Sequence, residues 1–484
     1  MEPLGQPPIV RGAPFSCGPA AIGAGLGALA ALPLLVYLRG FTVDDALIPA
    51  RYAAHLAEGL GYRFNAFGPV TDGVTPLGFP YLLAPFAGAG PLAALRAART
   101  LGAASWFGAA ALLGARTATI GGAPRRYAAL LLVALSAPLA AWAVSGLETG
   151  LVIALATMAA ALPTEGAGAL AGAAAGGAVA GLRPEMIAWA LVMAFGRASA
   201  MSSRRHRALA WTLSVAPWCA VVALRTAIFG RPVPLAVLSK PSDLMHGLTY
   251  VLPALAFTGA PLAAMGFFVW RHLTVWPRTL AIAALAHVAV VALAGGDWMP
   301  LARLVTPILP ALVLVVAHQL AAPVKPLAAL ARLIVACAAE LMLLALRGPA
   351  ASRVLADRLA LIDAAREPLR GAAHVATLDV GWVGAATGAE ILDLAGATDR
   401  EIAALPGGHT SKAVSGALVT ERGVDRLVFQ LGPGTGVESD DSRRYARRTE
   451  QMLAADLLTT RGFHVVWQSP ADLPVRYEIL APPR

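Results

Sequence analysis

The run from Ala20 to Leu38 contains no charged side chain. As a helix it would reach roughly 30 Å, the thickness of a bilayer's hydrocarbon core. Further apolar stretches lie near 76–115, 127–145, 147–162, 167–182, 185–196, 208–229, 247–270, 278–294, 301–320 and 327–346. The chain of 484 residues is 57% hydrophobic and only 14% charged, where soluble domains carry about 25% charged residues. So few polar groups cannot cover a soluble core of this size; lipid covering the surface resolves the mismatch. A soluble enzyme, a disordered protein and a disulfide scaffold are excluded. The first run is too long for the core of a cleaved leader and is read as a retained span.

The net charge of +10 fits basic loops on one side of a membrane better than a nucleic-acid surface. The loops holding Arg116, Arg125 and Arg126, Arg197 to Arg207, Arg271 to Arg278, and Lys325 are expected to be cytoplasmic. Counting spans then places 39–75, Ser145–Glu148, Arg183–Glu185, 230–246, Gly295–Pro300 and everything after about 347 on the opposite side. This parity requires 76–115 to cross only once, with 76–90 re-entrant or interfacial. Cys17, Cys219 and Cys337 have no metal-binding or redox spacing and read as small hydrophobes.

After residue 350 charges become frequent, and short β-like runs appear at His374–Leu378, Arg426–Gln430 and His464–Gln468. The expected fold is mainly α: a polytopic membrane helix bundle of about 11 to 13 spans over 1–349, then a small extracytoplasmic α/β domain over 350–484.

Four groups of residues could carry chemistry. Asp44 and Asp45 begin the first outer loop, at a helix start that favours negative charge. Helical spacing puts Asp44, Arg51, His55 and Glu58 near one face of a helix expected to lie along the membrane surface and to bend at Pro49. The pair reads either as a general base at the lipid–water boundary or as a helix cap. Asp72, Glu148, Arg183, Glu185 and Asp297, with Trp298 beside it, fall at span ends on one side, which suggests a shared polar cavity. Arg225, Arg231 and Lys240 are cations at headgroup depth, suited to a lipid phosphate or simply snorkelling. In the outer domain, Asp379–Gly384 and Asp393–Asp399 read as strand-end turns, and the spacing of Gly381 and Gly384 is a weak phosphate-loop signal. His409 reads as a surface or packing residue. No Walker, H-E-x-x-H or G-x-S-x-G sequence occurs.

The order of motifs is more specific than any one of them. DDALIPARYAAHLAEGLGYRFN (44–65) is followed by TDGVTPL (71–77), SGLETG (145–150), GLRPE (181–185) and FGRPVPLAVLSK (229–240). GGDWMP (295–300), ARLVTPILP (302–310), DLAGATD (393–399) and LPGGH (405–409) complete the series. Over roughly residues 20–410 the chain resembles the GT-C class of integral-membrane glycosyltransferases, nearest to the branch of terminal arabinofuranosyltransferases. The resemblance implies a multi-pass protein of the plasma (inner) membrane with its site on the outer face. It implies a polyprenyl-phosphate-linked sugar as donor and an essential Asp in the first outer loop, the position of Asp44. The segments Leu47–Pro49 and Asp72–Thr75 depart from the usual family pattern, and the outer domain is shorter than in arabinan enzymes. These departures leave sugar and acceptor open.

In that role Asp44 is the expected base and Asp45 its orienter or an acceptor contact. Arg51, Arg231 and Lys240 would face phosphate, and His55, Asp72, Glu148, Arg183, Glu185, Asp297 and Trp298 would bind substrate. Asp44, Asp45, Glu148 and Asp297 offer hard oxygen ligands, so a divalent cation, Mg²⁺ or Mn²⁺, stays open. The expected partners are the lipid-linked donor, a cell-envelope glycan or lipid acceptor, and membrane lipids, with no nucleic acid. The alternatives are a flippase or transporter of lipid-linked sugars, which would favour internal repeats and a midplane pocket, and a non-catalytic assembly protein. No internal repeat is visible in the sequence.

Overall fold

The computed structural model describes residues 17–122, 124–240, 243–322, 326–432 and 442–483. Lys325 lies outside them. The protein is mainly helical. Helix α1 (Cys17–Tyr37) leads through a 3-10 turn at Asp44–Ala46 into α2 (Leu47–Ala57). There follow α3 (Phe79–Leu83), α4 (Pro91–Thr119), α5 (Leu131–Leu135), α6 (Ala137–Val144), α7 (Thr149–Ala161), α8 (Gly166–Leu182), α9 (Ile187–Ala200) and α10 (Arg204–Phe229). The bundle closes with α11 (Leu235–Leu238), α12 (Leu244–Phe257), α13 (Ala260–Ala264), α14 (Val275–Leu293), α15 (Leu309–Ala321) and α16 (Pro326–Ala351).

Four helices among the described residues are long and apolar enough to cross a membrane: Gly18–Tyr37, Arg204–Phe229, Val275–Leu293 and Pro326–Ala365. A fifth crossing arises if Pro124–Leu135 and Ala137–Val144, bent by 52° at Ser136, count as one. Other apolar helices, such as α7 and α12, are shorter. The expected count of about 11 to 13 spans is thus not met by uninterrupted helices, because Pro and Gly divide several apolar runs into shorter pieces. The stretch 76–115 becomes one long helix, α4, preceded by the short α3. Pro91 sits in the first turn of α4, where its missing N–H leaves no bond unmade.

Helices α1 and α4 cross with their backbones nearly touching. A Cβ on Gly27 would lie 2.0 Å from the Ala110 carbonyl, and one on Gly114 would lie 2.0 Å from that of Gly23. Small residues four apart on both helices create this contact, the usual device where lipid removes any hydrophobic drive for association.

At one end of the bundle the turns carry basic groups. Arg197, in the last turn of α9, donates to Pro163 O at 2.6 Å and stacks on Trp276 at 4.7 Å. Arg125 donates to Ala322 O at 3.0 Å. The starts of α7 and α9 and the end of α14 meet at the other end, beside the C-terminal domain.

That domain begins with α17 (Val354–Ala365), continuous in direction with α16. Its sheet has strands β1 (His374–Thr377), β2 (Glu390–Asp393), β3 (Arg426–Gln430), β4 (His464–Gln468) and β5 (Tyr477–Ala481), in the order β2-β1-β3-β5-β4. β1 is parallel to β2 and β3; β5 is antiparallel to β3 and β4. Helices α18 (Val380–Ala386), α19 (Arg400–Ala404), α20 (Gly416–Glu421) and α21 (Arg448–Thr460) complete it. Successive strand residues point to opposite faces. Val375, Ile391, Val428 and Ile479 join the core shared with the bundle, while Ala376, Leu392, Leu427 and Leu480 join a separate core under α21. The domain is therefore seated on the bundle through a common apolar layer.

Replacing Gly114 by Leu is expected to force α1 and α4 apart, at a cost of about 1–3 kcal/mol or more. Gly25→Leu meets open space and should leave the melting temperature of the purified protein near wild type. Equal melting temperatures for the two variants would refute the close crossing.

Candidate functional site

A cavity of about 700 Å³ opens where the bundle meets the C-terminal domain. Asp45 reaches it from the turn before α2, and Glu148 from the turn before α7. Arg183 and Glu185 come from the turn between α8 and α9, Lys240 from the segment after α11, and Asp297 and Trp298 from the turn after α14. Residues far apart in sequence, and singled out because they fall at span ends, thus share one wall.

The charges are ordered. Arg183 is buried, 2.7 Å from Glu148 and 3.1 Å from Glu185, and donates to Thr149 Oγ1 at 2.9 Å. Asp297 lies 3.3 Å from Arg303 and 3.7 Å from Lys240. Although burial works to raise it, these two cations hold the Asp297 carboxyl below its ordinary range. The Asp45 carboxyl forms no hydrogen bond or ion pair among the described residues. Burial raises its proton affinity; Lys240 and Arg303 oppose this, and Asp297 reinforces it. Asp45 is thus an unengaged carboxyl beside two cations. Asp243, His246 and His409 also line the cavity, and much of the remaining wall is apolar, with Ile48, Pro49, Val74, Val233, Val237 and Val291 in it.

Asp44 has a different setting. Its two oxygens accept the backbone N–H groups of Gly381 at 2.8 Å and Trp382 at 2.9 Å, and Arg358 lies 3.8 Å away. It does not line the cavity. Burial raises its pKa to about 7, against the pull of Arg358 and with the repulsion of Asp379 and Asp45 added. The sequence expectation had Asp44 facing substrate and Asp45 supporting it; the geometry places Asp45 on the cavity and Asp44 against the C-terminal domain.

Four other expected site residues also lie away from the cavity. Arg51 is buried and spends its guanidinium on the carbonyls of Phe64 (2.8 Å), Gly384 (2.7 Å) and Ala389 (2.8 Å). His55 Nδ1 is 3.0 Å from Arg63 O and closes the loop behind α2. Asp72 is clamped by Arg225 at 2.6 Å, and Arg225 also donates to Val74 O at 2.9 Å. Arg231 is not on the wall. Helix α2 itself does not lie on a surface: Leu47 to His55 are all buried. Nor does Pro49 bend it, because Pro49 falls in the first turn, where N–H groups lack helical partners in any case.

Sequence reasoning missed Arg303, His246 and the place of His409. Leu301 and Ala302 adopt left-handed backbone angles (φ 55° and 51°), a costly state for residues with a Cβ. This turn brings Arg303 back to Asp297, and it is held by Trp142, whose indole N–H donates to Leu301 O at 2.9 Å. The GGDWMP run gave a turn signal but not the strained reversal after it. Trp298, 55% exposed, sits between His246 (centroids 4.5 Å apart) and His409 (4.8 Å). His409 is therefore a packing residue, but one on the cavity rim. Burial and nearby Lys240 lower its pKa to about 4, so it is neutral near pH 7.

The four carboxylates considered for a divalent cation do not converge. Glu148 and Asp297 are committed to cations and Asp44 to backbone N–H groups, and the described residues contain no cluster of three or more metal-ligating side chains. No step is therefore assigned to a metal. No protein-family model matches the sequence, and no curated protein matches it.

The raised pKa of Asp44 means that the folded state holds its proton more tightly than the unfolded chain. Its contribution to stability is full below about pH 4 and is lost as pH rises through about 7. Asp44→Asn does not titrate. The melting temperature of the wild type relative to this variant is expected to fall between about pH 5 and pH 8. A difference that rises or stays constant over that interval would contradict the assignment.

Proposed function

We propose that the protein is a membrane glycosyltransferase. It moves a sugar, a pentose such as arabinofuranose being one candidate, from a polyprenyl-phosphate donor to a cell-envelope glycan or lipid acceptor on the outer face of the plasma membrane. The motif order supports the class. The observation that carries the reading is the cavity, where an unengaged carboxyl, Asp45, shares a wall with Lys240 and Arg303 and with an apolar surface.

The chemistry follows from those groups. The donor's phosphate lies against Lys240 and Arg303, and the first isoprene units lie along Val74, Val233 and Val237. Asp45 takes the proton of the acceptor hydroxyl as its oxygen attacks the anomeric carbon. The bond from that carbon to the phosphate oxygen breaks, and its electron pair leaves on polyprenyl phosphate. The two cations stabilise the charge that develops there. A single displacement inverts the anomeric centre. Asp297 keeps both cations on the wall, and the Glu148–Arg183–Glu185 cluster continues it. Trp298 offers an aromatic face to a sugar ring at the rim.

Relative to the sequence expectation, the base is moved from Asp44 to its neighbour, because Asp45 is the one of the pair on the cavity. Asp45→Asn is expected to lower the rate of transfer from polyprenyl-phosphate sugars roughly 100- to 10,000-fold, whereas Asp44→Asn should act mainly on stability. Since the base works only when ionised and its pKa is raised, wild-type kcat should fall with acidification at a pH above the ordinary Asp value of about 3.9. Full activity in Asp45→Asn, measured with radiolabelled donor, would end this reading.

A further inference from the structure

A second recess, of about 580 Å³, lies between the loop after α2 and the outer domain. The segments 71–73 and 397–398 contribute to both its lining and that of the charged cavity. Thr71 and Thr398 face the recess, while Gly73 and Ala397 face the cavity. The two segments touch closely: a Cβ on Gly73 would stand 2.8 Å from Thr398 Cγ2 and 3.2 Å from Ala397 O.

Both sides of this wall are pinned. The buried Tyr52 hydroxyl accepts the Gly73 N–H at 3.2 Å and donates to Thr71 O at 2.9 Å. The Asp393 carboxylate accepts the N–H groups of Ala395 (2.8 Å), Gly396 (3.2 Å) and Thr398 (2.7 Å) and the Thr398 hydroxyl (3.0 Å). The wall is a fixed rim between two neighbouring spaces.

The recess has its own chemistry. Asn65 and the Ile391 backbone exchange two hydrogen bonds of 2.9 Å, which set its floor. Arg422 pairs with Glu401 and lies 3.6 Å from Asp399. His374 is 4.0 Å from Glu390. Three carboxylates (Glu390, Asp399 and Glu401) face two guanidiniums (Arg400 and Arg422), so no positive excess is left for a polyanion. Planar amide, carboxylate and guanidinium groups with unused lone pairs and N–H bonds stand beside Phe64, Ile391 and Val424. Such a surface suits a neutral polyol, with hydroxyls on the planar polar groups and C–H faces on the apolar ones.

We propose that this recess is a subsite for the distal residues of a neutral oligosaccharide acceptor whose reacting end lies in the charged cavity. The proposal rests on the transferase reading, and it deepens that reading by making the acceptor a chain of several sugars. A chain reaching from one space to the other crosses the rim at Gly73 and Thr398.

The test is binding, measured independently of transfer, on the full chain in nanodiscs free of sugar detergents. The probes are neutral arabinose, mannose, galactose and glucose oligosaccharides, each as monomer, dimer, tetramer and hexamer, read by saturation-transfer NMR and titration. The expected result is that at least one tetramer or hexamer binds roughly tenfold or more tightly than its monomer. Ala404→Trp fills the recess from an exposed position and should remove that gain. Arg422→Ala should weaken it by a similar factor, with melting temperatures confirming that both variants fold. Absence of any chain-length gain in the wild type, or a gain that survives Ala404→Trp in folded protein, overturns the proposal. The two readings fail separately. Transfer to short acceptors without chain-length-dependent binding removes the recess and keeps the transferase. Recess binding without any transfer removes the transferase and keeps a glycan site.

Discussion

The structure turns on the grip that the first loop holds on helix α18. Asp44 accepts the N–H groups of Gly381 and Trp382 at the start of that helix, and Arg51 donates to the carbonyls of Gly384 and Ala389 near and beyond its end. A carboxylate at the amino end and a guanidinium at the carboxyl end match the signs of the helix's partial charges. Gly381 and Gly384 make the approach possible. A Cβ on Gly381 would lie 2.1 Å from Asp44 O, and one on Gly384 would lie 2.6 Å from Arg51 Nη1. The spacing that read as a faint phosphate-loop signal is thus a docking surface for the chain's own first loop.

This grip divides the labour of the acidic pair. In a 3-10 turn, adjacent side chains leave the backbone in different directions. Once Asp44 is committed to α18, Asp45 is left facing the cavity. The network continues behind Asp44: Arg358 approaches Tyr477 at 3.5 Å, Asp379 pairs with Arg447 at 2.7 Å, and Arg447 pairs with Glu450. The position of Asp45 therefore depends on how the C-terminal domain is seated, and that domain adds Ala397, Gly408 and His409 to the same cavity.

Much of the site was legible because charge is scarce in this chain. Each acidic residue at a span end stood out, and Glu148, Arg183, Glu185, Lys240, Asp297 and Trp298 do gather on one wall. The three β-like runs correspond to β1, β3 and β4. β2 and β5, as long as β1 and β3 respectively, escaped notice because Glu390 and Asp393 frame β2 and Glu478 interrupts β5, so neither stands out as an apolar run. The span count was less legible. Hydropathy does not register a break such as Ser136, where the backbone is extended and Pro138 starts a new helix. Asp72 was placed by its position near a span end, which does not reveal its pairing with Arg225, and Arg51 and His55 were misplaced because periodicity gives the face of a helix but not what covers it. Here α18 and the loop carbonyls cover α2, so its polar groups serve the fold.

Charge balance narrows what the cavity can accept. Arg183 is matched by two carboxylates, so its charge is spent within the wall. Lys240 and Arg303 pair with Asp297, and the carboxyls of Asp45 and Asp243 line the same cavity, so no positive excess remains there when Asp45 is ionised. A ligand with one phosphate therefore asks less of these two cations than a diphosphate would, since unpaired charge in a buried site is costly. The apolar strip from Val74 to Val237 and the paired cations border the same space, the combination that the proposed lipid-linked donor requires. The left-handed turn at Leu301 and Ala302 fits the same logic. Its strain is held in place by the Trp142 indole, and what that strain secures is the second cation beside Asp297.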